Sequence, residues 1–167
     1  MKIIGCDPSL TCTGYAILED DKIICYGSVK TNADQDIKDR YKIIFDEIWG
    51  ILNEYKPDVM GVESQYLNGI MSNSILKIVE VAGIIEGSFY AYCENNKLDK
   101  RFLSVSPNEA KSAIGVGKLP RKESKEAVKK MICLMYKELD KKGVTQDVYD
   151  AVSIAIFTND NAKFRLI

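Results

Sequence analysis

The chain has 167 residues, enough for one domain with a substantial core, and its apolar fraction of 46% and charged fraction of 28% are ordinary for a globular protein. No apolar run approaches the roughly 20 residues of a membrane-spanning helix, and Asp7-Pro8 interrupts the first such run, which does not fit a secretory signal peptide. The chain has a net charge of −1, no histidine for a cysteine–histidine zinc site, and five cysteines without a C-x-x-C pair, which are typical of reduced thiols in a cytoplasmic protein.

The first part of the chain predicts a strand-rich unit followed by a helix. Ile3–Cys6 is apolar on both faces, Gly14–Leu18 follows a turn, and Lys22–Val29 follows an acidic turn in the manner of a hairpin. Apolar residues then recur at helical spacing over Ile37–Tyr55, which predicts an amphipathic helix. Asp58–Glu63 is a short buried strand.

The second part of the chain is mainly helical. A helix predicted over Ser72–Cys93 is apolar on more than one side, which indicates either a central helix or an interface between two copies. The elements predicted after it are the strand Phe102–Val105 and the helices Pro107–Ala113, Pro120–Leu139 and Gln146–Phe157. This order predicts an α/β fold with a mixed sheet, in one domain over residues 1–158 with a short tail over 159–167.

Four acidic residues lie at the ends of these apolar elements. Asp7 ends the first strand, Glu63 ends the fourth, and Asp147 and Asp150 open the last helix three residues apart, so that they share one face. Carboxylates are costly at such positions unless something balances their charge. A divalent cation fits, because Mg²⁺ prefers oxygen ligands and two ions about 3.5–4 Å apart can serve a phosphodiester displacement.

Each of these acids also has an ordinary explanation. Asp7 precedes a proline, and Asp-Pro commonly opens a turn. Glu63 fits a solvated residue at a strand end. Asp147 and Asp150 occupy a first helical turn, where the helix dipole favours acids without any metal. The residues alone therefore leave both interpretations open.

Positive charge is concentrated in one segment of the chain. Between Lys100 and Lys130 there are nine basic and three acidic residues, a net charge of +6, so the rest of the chain carries −7. This distribution is typical of a surface that contacts a nucleic-acid backbone, and also of a solvated lysine-rich helix face.

The segments that contain the four acids resemble the motifs of one family. Gly5–Tyr15 resembles the first-strand motif of the RuvC family of Holliday-junction resolvases, which belongs to the RNase H-like, or retroviral-integrase, superfamily. Val62–Tyr66 is similar to the second motif of that family, and Gln146–Ala155 to its C-terminal helix motif. Ile114–Gly117, with the basic residues after it, is similar to its glycine loop and basic segment. The motifs follow the family's order to about Thr158 and fit a cellular or a phage-type member.

The resemblance implies an RNase H-like α/β fold, with a five-stranded mixed β-sheet flanked by α-helices. It also implies a Mg²⁺-dependent endonuclease with two ions per active site, in which Mn²⁺ can substitute. Such an enzyme works as a homodimer and nicks two opposed strands of a four-way DNA junction. The helix over residues 72–93 is then the expected dimer interface, since opposed strands need two sites related by a two-fold axis. Partner helicases are an expectation from the family only.

The resemblance also assigns individual residues. The expected metal ligands, which are also the expected catalytic carboxylates, are Asp7, Glu63, Asp147 and Asp150. The expected DNA-binding cations are Lys111, Lys118, Arg121 and Lys122. Of these, Lys122 is also an expected catalytic residue, although the division of roles among the basic residues stays open. Tyr66 is expected to stack on an unpaired base at the junction, with a core tyrosine as the alternative.

Two other functions stay open on the sequence. A nuclease of the same fold can act on other branched DNA or on RNA–DNA hybrids, and a non-catalytic protein can bind junctions without cutting them. The presence of all four acids argues against the second of these. The loop Gly115-Val116-Gly117-Lys118 lacks the Walker spacing, which argues against a nucleotide-binding P-loop.

Overall fold

The computed structural model of the chain describes residues 1–64, 72–99 and 101–164, without the side chains of Arg121, Lys163 and Phe164. The strands are β1 (Lys2–Asp7), β2 (Cys12–Glu19), β3 (Lys22–Lys30), β4 (Val59–Glu63) and β5 (Phe102–Val105). The helices are α1 (Ile37–Tyr55), α2 (Asn73–Asn96), α3 (Pro107–Ala113), α4 (Arg121–Met135) and α5 (Gln146–Phe164), with a 3₁₀ turn at Lys137–Leu139. Within these ranges, no helix has both the length and the apolar character needed to cross a membrane.

The five strands form one mixed sheet in the order β3-β2-β1-β4-β5. Short turns join β1, β2 and β3, and these strands therefore pair antiparallel. β1 pairs parallel with β4, and β4 with β5, because α1 and α2 carry the chain back between them. The predicted five-stranded mixed sheet flanked by helices is confirmed.

Helices cover both faces of this sheet. On one face, α1 and α2 pack against the sheet in a core that includes Ile4 and Phe89. On the other face, α4 and α5 complete a second core that includes Ile3 and Val152. Successive residues of a strand point to opposite faces, so Ile3 and Ile4 enter different cores. The continuous apolar run of β1 reflects this burial on both sides.

The ends of two helices differ most from the sequence prediction. The helix predicted over Pro120–Leu139 ends at Met135, because Tyr136 takes an extended conformation (φ −132°, ψ 91°) before the 3₁₀ turn. The last helix continues to Phe164, and Ala162 in its final turns is buried in the core. The tail predicted from residue 159 therefore begins as part of α5.

Candidate active site

Asp7 and Glu63 lie at the same edge of the sheet. Each is the last residue of its strand, and β1 and β4 are parallel neighbours in which Cys6 pairs with Val62. The carboxyl ends of parallel strands meet at one edge of a sheet, which is where open α/β folds bind ligands. The strand pairing therefore places the two carboxylates on adjacent strands at that edge.

The close approach of α5 to the sheet brings Asp147 and Asp150 to the same place. A Cβ on Gly5 of β1 would lie 2.4 Å from the backbone nitrogen of Ala155. A Cβ on Gly14 of β2 would lie 2.0 Å from the carbonyl oxygen of Asp147. Only glycine leaves room for backbone at these distances. The first turn of α5 therefore lies directly against β2, and Asp150 follows one turn later.

All four carboxylates line one cavity of about 330 Å³. The β1–β2 turn and the helices α2, α3, α4 and α5 supply the rest of the lining, which is Pro8, Ser9, Ile78, Pro107, Ala110, Lys111, Ser124, Lys125, Val128 and Ser153. The cavity therefore combines four carboxylates with two lysines, Lys111 from α3 and Lys125 from α4. Such a lining offers oxygen ligands to a cation and positive charge to a phosphate.

A family model described as crossover junction endodeoxyribonuclease RuvC matches residues 3–158. The matched range contains all four of these acids and all five strands except Lys2, the first residue of β1. The chain belongs to the RuvC family. The similarity that the sequence motifs indicated is therefore confirmed over nearly the whole length of the chain.

Individual relatives of the RuvC family agree with this membership. The RuvC of Fusobacterium nucleatum is 32% identical over 161 residues, which cover 93% of this chain and 78% of that protein. The RuvC of Halothermothrix orenii is 30% identical over 161 residues, which cover 93% of this chain and 90% of that protein. Both relatives carry the description crossover junction endodeoxyribonuclease RuvC.

Solved structures of a RuvC and of another Holliday junction resolvase share the fold. Thermus thermophilus RuvC in complex with a Holliday junction substrate matches with a TM-score of 0.72 at 19% identity, over 99% of this chain and 96% of that chain. A yeast mitochondrial Holliday junction resolvase matches with a TM-score of 0.61 at 15% identity, over 98% and 83% of the two chains. These matches confirm the expected RNase H-like fold.

The electrostatics of the RuvC-type cavity disfavour ionised carboxylates. Burial holds the pKa of the Asp7 carboxyl well above its usual range, and the other three carboxylates of the cavity raise it further. Burial also raises the pKa of Asp150, although Gln146 Nε2 donates a hydrogen bond of 3.0 Å to Asp150 Oδ1 and opposes this effect. Raised carboxyl pKa values in one cavity are typical of a functional site. A bound cation would favour the ionised carboxylates and so reverse this effect.

The donor set of the cavity fits a hard divalent cation. Four carboxylates supply the oxygen ligands that Mg²⁺ and Mn²⁺ prefer. Ser124 adds a hydroxyl oxygen that is buried and has no hydrogen-bond partner among the described residues. Among all the residues that the structure describes, no three His, Cys, Asp or Glu side chains are grouped closely enough to hold an ion. The chemistry of the donors, rather than their present spacing, therefore supports a metal site.

The predicted basic and aromatic residues have different positions relative to this cavity. Lys111 lines it. Lys118 and Lys122 are exposed and are not among its lining residues. The side chain of Arg121 and the whole of Tyr66 lie outside the described residues. The roles assigned to these residues stay predictions.

Two residues of α4 that line the cavity, Ser124 and Lys125, were not predicted from the sequence. A signal for them existed in the helical periodicity. Val128 and Ile132 are buried four residues apart and define the inward face of α4. The residue four positions before Val128 faces the same way, and its neighbour Lys125 flanks that face. The rotation of α4 about its axis therefore places Ser124 and Lys125, rather than Lys122, at the cavity.

Proposed function

We propose that this chain is a divalent-metal-dependent endodeoxyribonuclease that resolves four-way DNA junctions by nicking two opposed strands. The observation that carries the proposal is the meeting of four carboxylates from β1, β4 and α5 in one cavity of a RuvC family chain. The fold match to a RuvC that holds a Holliday junction substrate supports the choice of substrate. A single domain carries the whole site.

The proposed ligands of two Mg²⁺ ions, or of Mn²⁺ in their place, are Asp7, Glu63, Asp147 and Asp150. When bound, such ions activate the attacking water and stabilise the leaving oxygen of an in-line displacement at phosphorus. Other residues of the chain prepare the site for this. Gln146 holds one oxygen of Asp150 by its hydrogen bond. Lys111 places a positive charge near the same carboxylate, at the wall of the cavity where a phosphodiester would enter.

The other residues that are predicted to contact DNA lie close in sequence to residues of this site. Tyr66 follows Glu63 by three residues in the sequence, and we assign it to stacking on a base opened at the junction, which any base allows. Lys118 precedes α4, whereas Arg121 and Lys122 are its first two residues, and we assign all three to the DNA backbone. The exposed position of Lys122 supports this part of its expected role more than a catalytic part.

We further propose that the protein is a homodimer that pairs through α2. The face of α2 turned away from the core exposes apolar side chains, namely Leu76 (36%), Val79 (41%) and Tyr90 (36%). Gly83 and Gly87 interrupt this face, and a Cβ at either would meet nothing within 4 Å among the described residues, which leaves room for a second helix. Val79→Glu should therefore yield a monomer in analytical ultracentrifugation, and a variant that stays dimeric would exclude this interface.

The nuclease proposal is tested by incubating the protein with Mg²⁺ and a labelled four-way junction. We expect paired nicks on opposed strands, and a loss of about 10³-fold or more in Asp7→Asn. Asp34→Asn is the matched control, because Asp34 is an exposed loop residue that makes the same change of charge outside the cavity. Cleavage by Asp7→Asn at the parent rate would rule out the proposed metal ligands.

Two further substrates separate the alternatives. Faster cleavage of a replication fork or of an RNA–DNA hybrid than of the junction would assign the protein to another substrate of the same fold. Tight, salt-sensitive junction binding without cleavage under Mg²⁺ or Mn²⁺ would instead identify a non-catalytic junction-binding protein.

A further inference from the structure

Arg40, in the first turns of α1, is a buried cation without an acidic partner. Only 7% of its surface is exposed. Its Nε donates a hydrogen bond of 2.8 Å to Thr31 Oγ1, and one Nη donates at 3.3 Å to both the carbonyl oxygen of Leu10 and Thr11 Oγ1. None of the ion pairs among the described residues involves Arg40. Within that part of the chain, neutral oxygens therefore hold this guanidinium group.

Such a buried arginine is a poor means of stabilising a fold. Burial removes the guanidinium group from water, and neutral acceptors replace only part of its hydration. Even a buried cation that is paired with a carboxylate often stabilises a protein no more than apolar residues of similar volume would. The planar guanidinium group does, however, direct several N–H donors in fixed directions, so it can hold several acceptors in one geometry. The contacts of Arg40 therefore suit a positioning role better than a stabilising one.

The acceptors of Arg40 belong to the β1–β2 turn and to Thr31, the residue that follows β3. Thr31 also binds the turn itself. Its hydroxyl donates a hydrogen bond to the carbonyl oxygen of Leu10, and its backbone N–H donates one of 3.1 Å to the carbonyl oxygen of Thr11. Arg40 and Thr31 therefore form one network that ties the second half of the turn to α1 and to the end of β3.

The first half of the same turn forms part of the wall of the acidic cavity. Pro8 and Ser9 line the cavity directly after Asp7. Strand pairing holds Asp7 but stops there, and it resumes only at Cys12. Contacts outside the sheet ladder must therefore fix the part of the turn between them, and the network of Arg40 supplies such contacts.

We propose that Arg40 is a positioning residue of the nuclease site, which holds the β1–β2 turn and thereby the Pro8–Ser9 wall beside Asp7 in the geometry that cleavage needs. This inference rests on the proposed nuclease function. Arg40 is not among the residues that line the cavity, so it acts through the turn and not on the substrate. A misplacement of about 1 Å costs about 10²-fold in rate, so a loosened turn slows cleavage without releasing the junction.

The first experiment measures amide hydrogen exchange in the DNA-free protein with Arg40→Met, which replaces the guanidinium group by an apolar one. We expect faster exchange at the amides of Ser9 and Thr31, whose acceptors lie at the turn, and parent-like exchange elsewhere. Arg101→Met is the matched control, because Arg101 precedes β5 at the opposite end of the sheet and its guanidinium group contacts Met1 Sδ at 3.8 Å. Equal exchange at the turn in Arg40→Met and the parent would overturn the proposal.

The second experiment separates positioning from stability and from DNA binding. Single-turnover cleavage of a four-way junction in saturating Mg²⁺ should fall by about 10–10²-fold in Arg40→Met. Its urea midpoint should stay within about 0.5 M of the parent value, because burial of the charge is costly. Junction affinity in Ca²⁺ should change by less than about twofold, because a buried residue contributes no phosphate contact. Arg40→Lys keeps the charge but not the planar group and should also cleave slowly.

The other outcomes also decide the assignment. Parent-like cleavage by folded Arg40→Met would make Arg40 a structural residue only, and parent-like cleavage by Arg40→Lys would assign the effect to charge alone; either result overturns the proposal while the nuclease function stands. Weaker junction binding at an unchanged single-turnover rate would overturn it too, in favour of a DNA contact.

Thr11→Ala decides the question if Arg40→Met does not fold, because Thr11 is exposed and only one acceptor of Arg40 is lost. We expect faster exchange at the turn and cleavage about 3–10-fold slower than in the parent, and no change in either would overturn the proposal. If the parent cuts no branched DNA, the proposed function fails and the catalytic part of this inference fails with it, whereas hydrogen exchange still decides whether Arg40 holds the turn.

Discussion

Replacing Gly5 by alanine tests whether the contact between α5 and β1 assembles the acidic cavity. A Cβ at this position would lie 2.4 Å from the backbone nitrogen of Ala155 and 2.5 Å from the carbonyl oxygen of Ala151, where ordinary contacts begin at 3.4 Å. The shortfall is about 1 Å. Both neighbouring atoms belong to the backbone, so no side-chain rotation can relieve the overlap. We expect α5 to move away from the sheet by about that distance.

Two measurable losses follow from this displacement of α5. Overpacking of a close contact of this kind costs about 1–3 kcal/mol of the free energy of unfolding. Because α5 carries Asp147 and Asp150 while Asp7 stays on β1, the carboxylates also separate by about 1 Å. A misplacement of that size costs about 10²-fold in rate. Urea unfolding and single-turnover junction cleavage measure the two effects separately.

Gly50→Ala is the matched control for Gly5→Ala. Gly50 lies in α1, and a Cβ there would meet nothing within 4 Å among the described residues. We expect this variant to gain about 0.5–1 kcal/mol, since alanine favours the helix, and to cleave as the parent does. If Gly5→Ala unfolds at the same urea concentration as the parent and cleaves as fast, then close packing of α5 on β1 does not hold the site together.

Three further substitutions probe the charge and hydrogen bonding of the same region. Asp7→Asn should raise the unfolding free energy in EDTA at pH 7 by about 1–2 kcal/mol, because the folded state disfavours the charged carboxylate. Since folding raises the pKa of Asp7, this gain in stability should vanish when the pH is below the pKa of the carboxyl in the unfolded chain, as measured by thermal unfolding. A loss of stability in Asp7→Asn at pH 7 would contradict the burial argument. Ser124→Ala should leave the urea midpoint unchanged or raise stability by up to about 1 kcal/mol, whereas a clear loss would reveal a hydrogen-bond partner for this hydroxyl. Glu109→Ala should cost about 0.5–1 kcal/mol at pH 7, because Glu109 and Ser106 form a capping box at the start of α3. Hydrogen bonding to Ser106 lowers the pKa of Glu109. The cost of Glu109→Ala should therefore disappear in urea titrations carried out at a pH below that lowered pKa.

The sequence predicted the sheet well because local patterns determine most of it. The bounds of α1, β5 and α3 match the predicted ranges, and each of the other strands agrees to within two residues at either end. These elements begin or end at strong signals, such as the Pro107 that opens α3. The sequence also predicted that Asp7 and Glu63 end their strands, and the parallel pairing of those strands in the structure brings both acids to one edge.

The features that the sequence did not predict depend on contacts between distant parts of the chain. The last helix continues past Phe157 because Asn159 donates a hydrogen bond to Asp21 in the β2–β3 turn and Ala162 enters the core. Lys125 reaches the cavity only because Val128 fixes the rotation of α4. The local sequence around Asn159 and Lys125 does not differ from that of an ordinary polar or basic helix face, so neither contact could be predicted from it.

The packing of α5 also explains how the chain keeps mutually repelling acids together. Repulsion among the carboxylates favours a movement of α5 away from β1 and β2, which would lower the raised pKa of Asp7. Such a movement would break backbone contacts along the helix, from Asp147 over Gly14 to Ala155 over Gly5. Backbone atoms have no alternative rotamers through which part of these contacts could be kept. A cation that enters the cavity therefore meets carboxylates whose main chains are already fixed, and rotation about their side-chain bonds is the adjustment that remains.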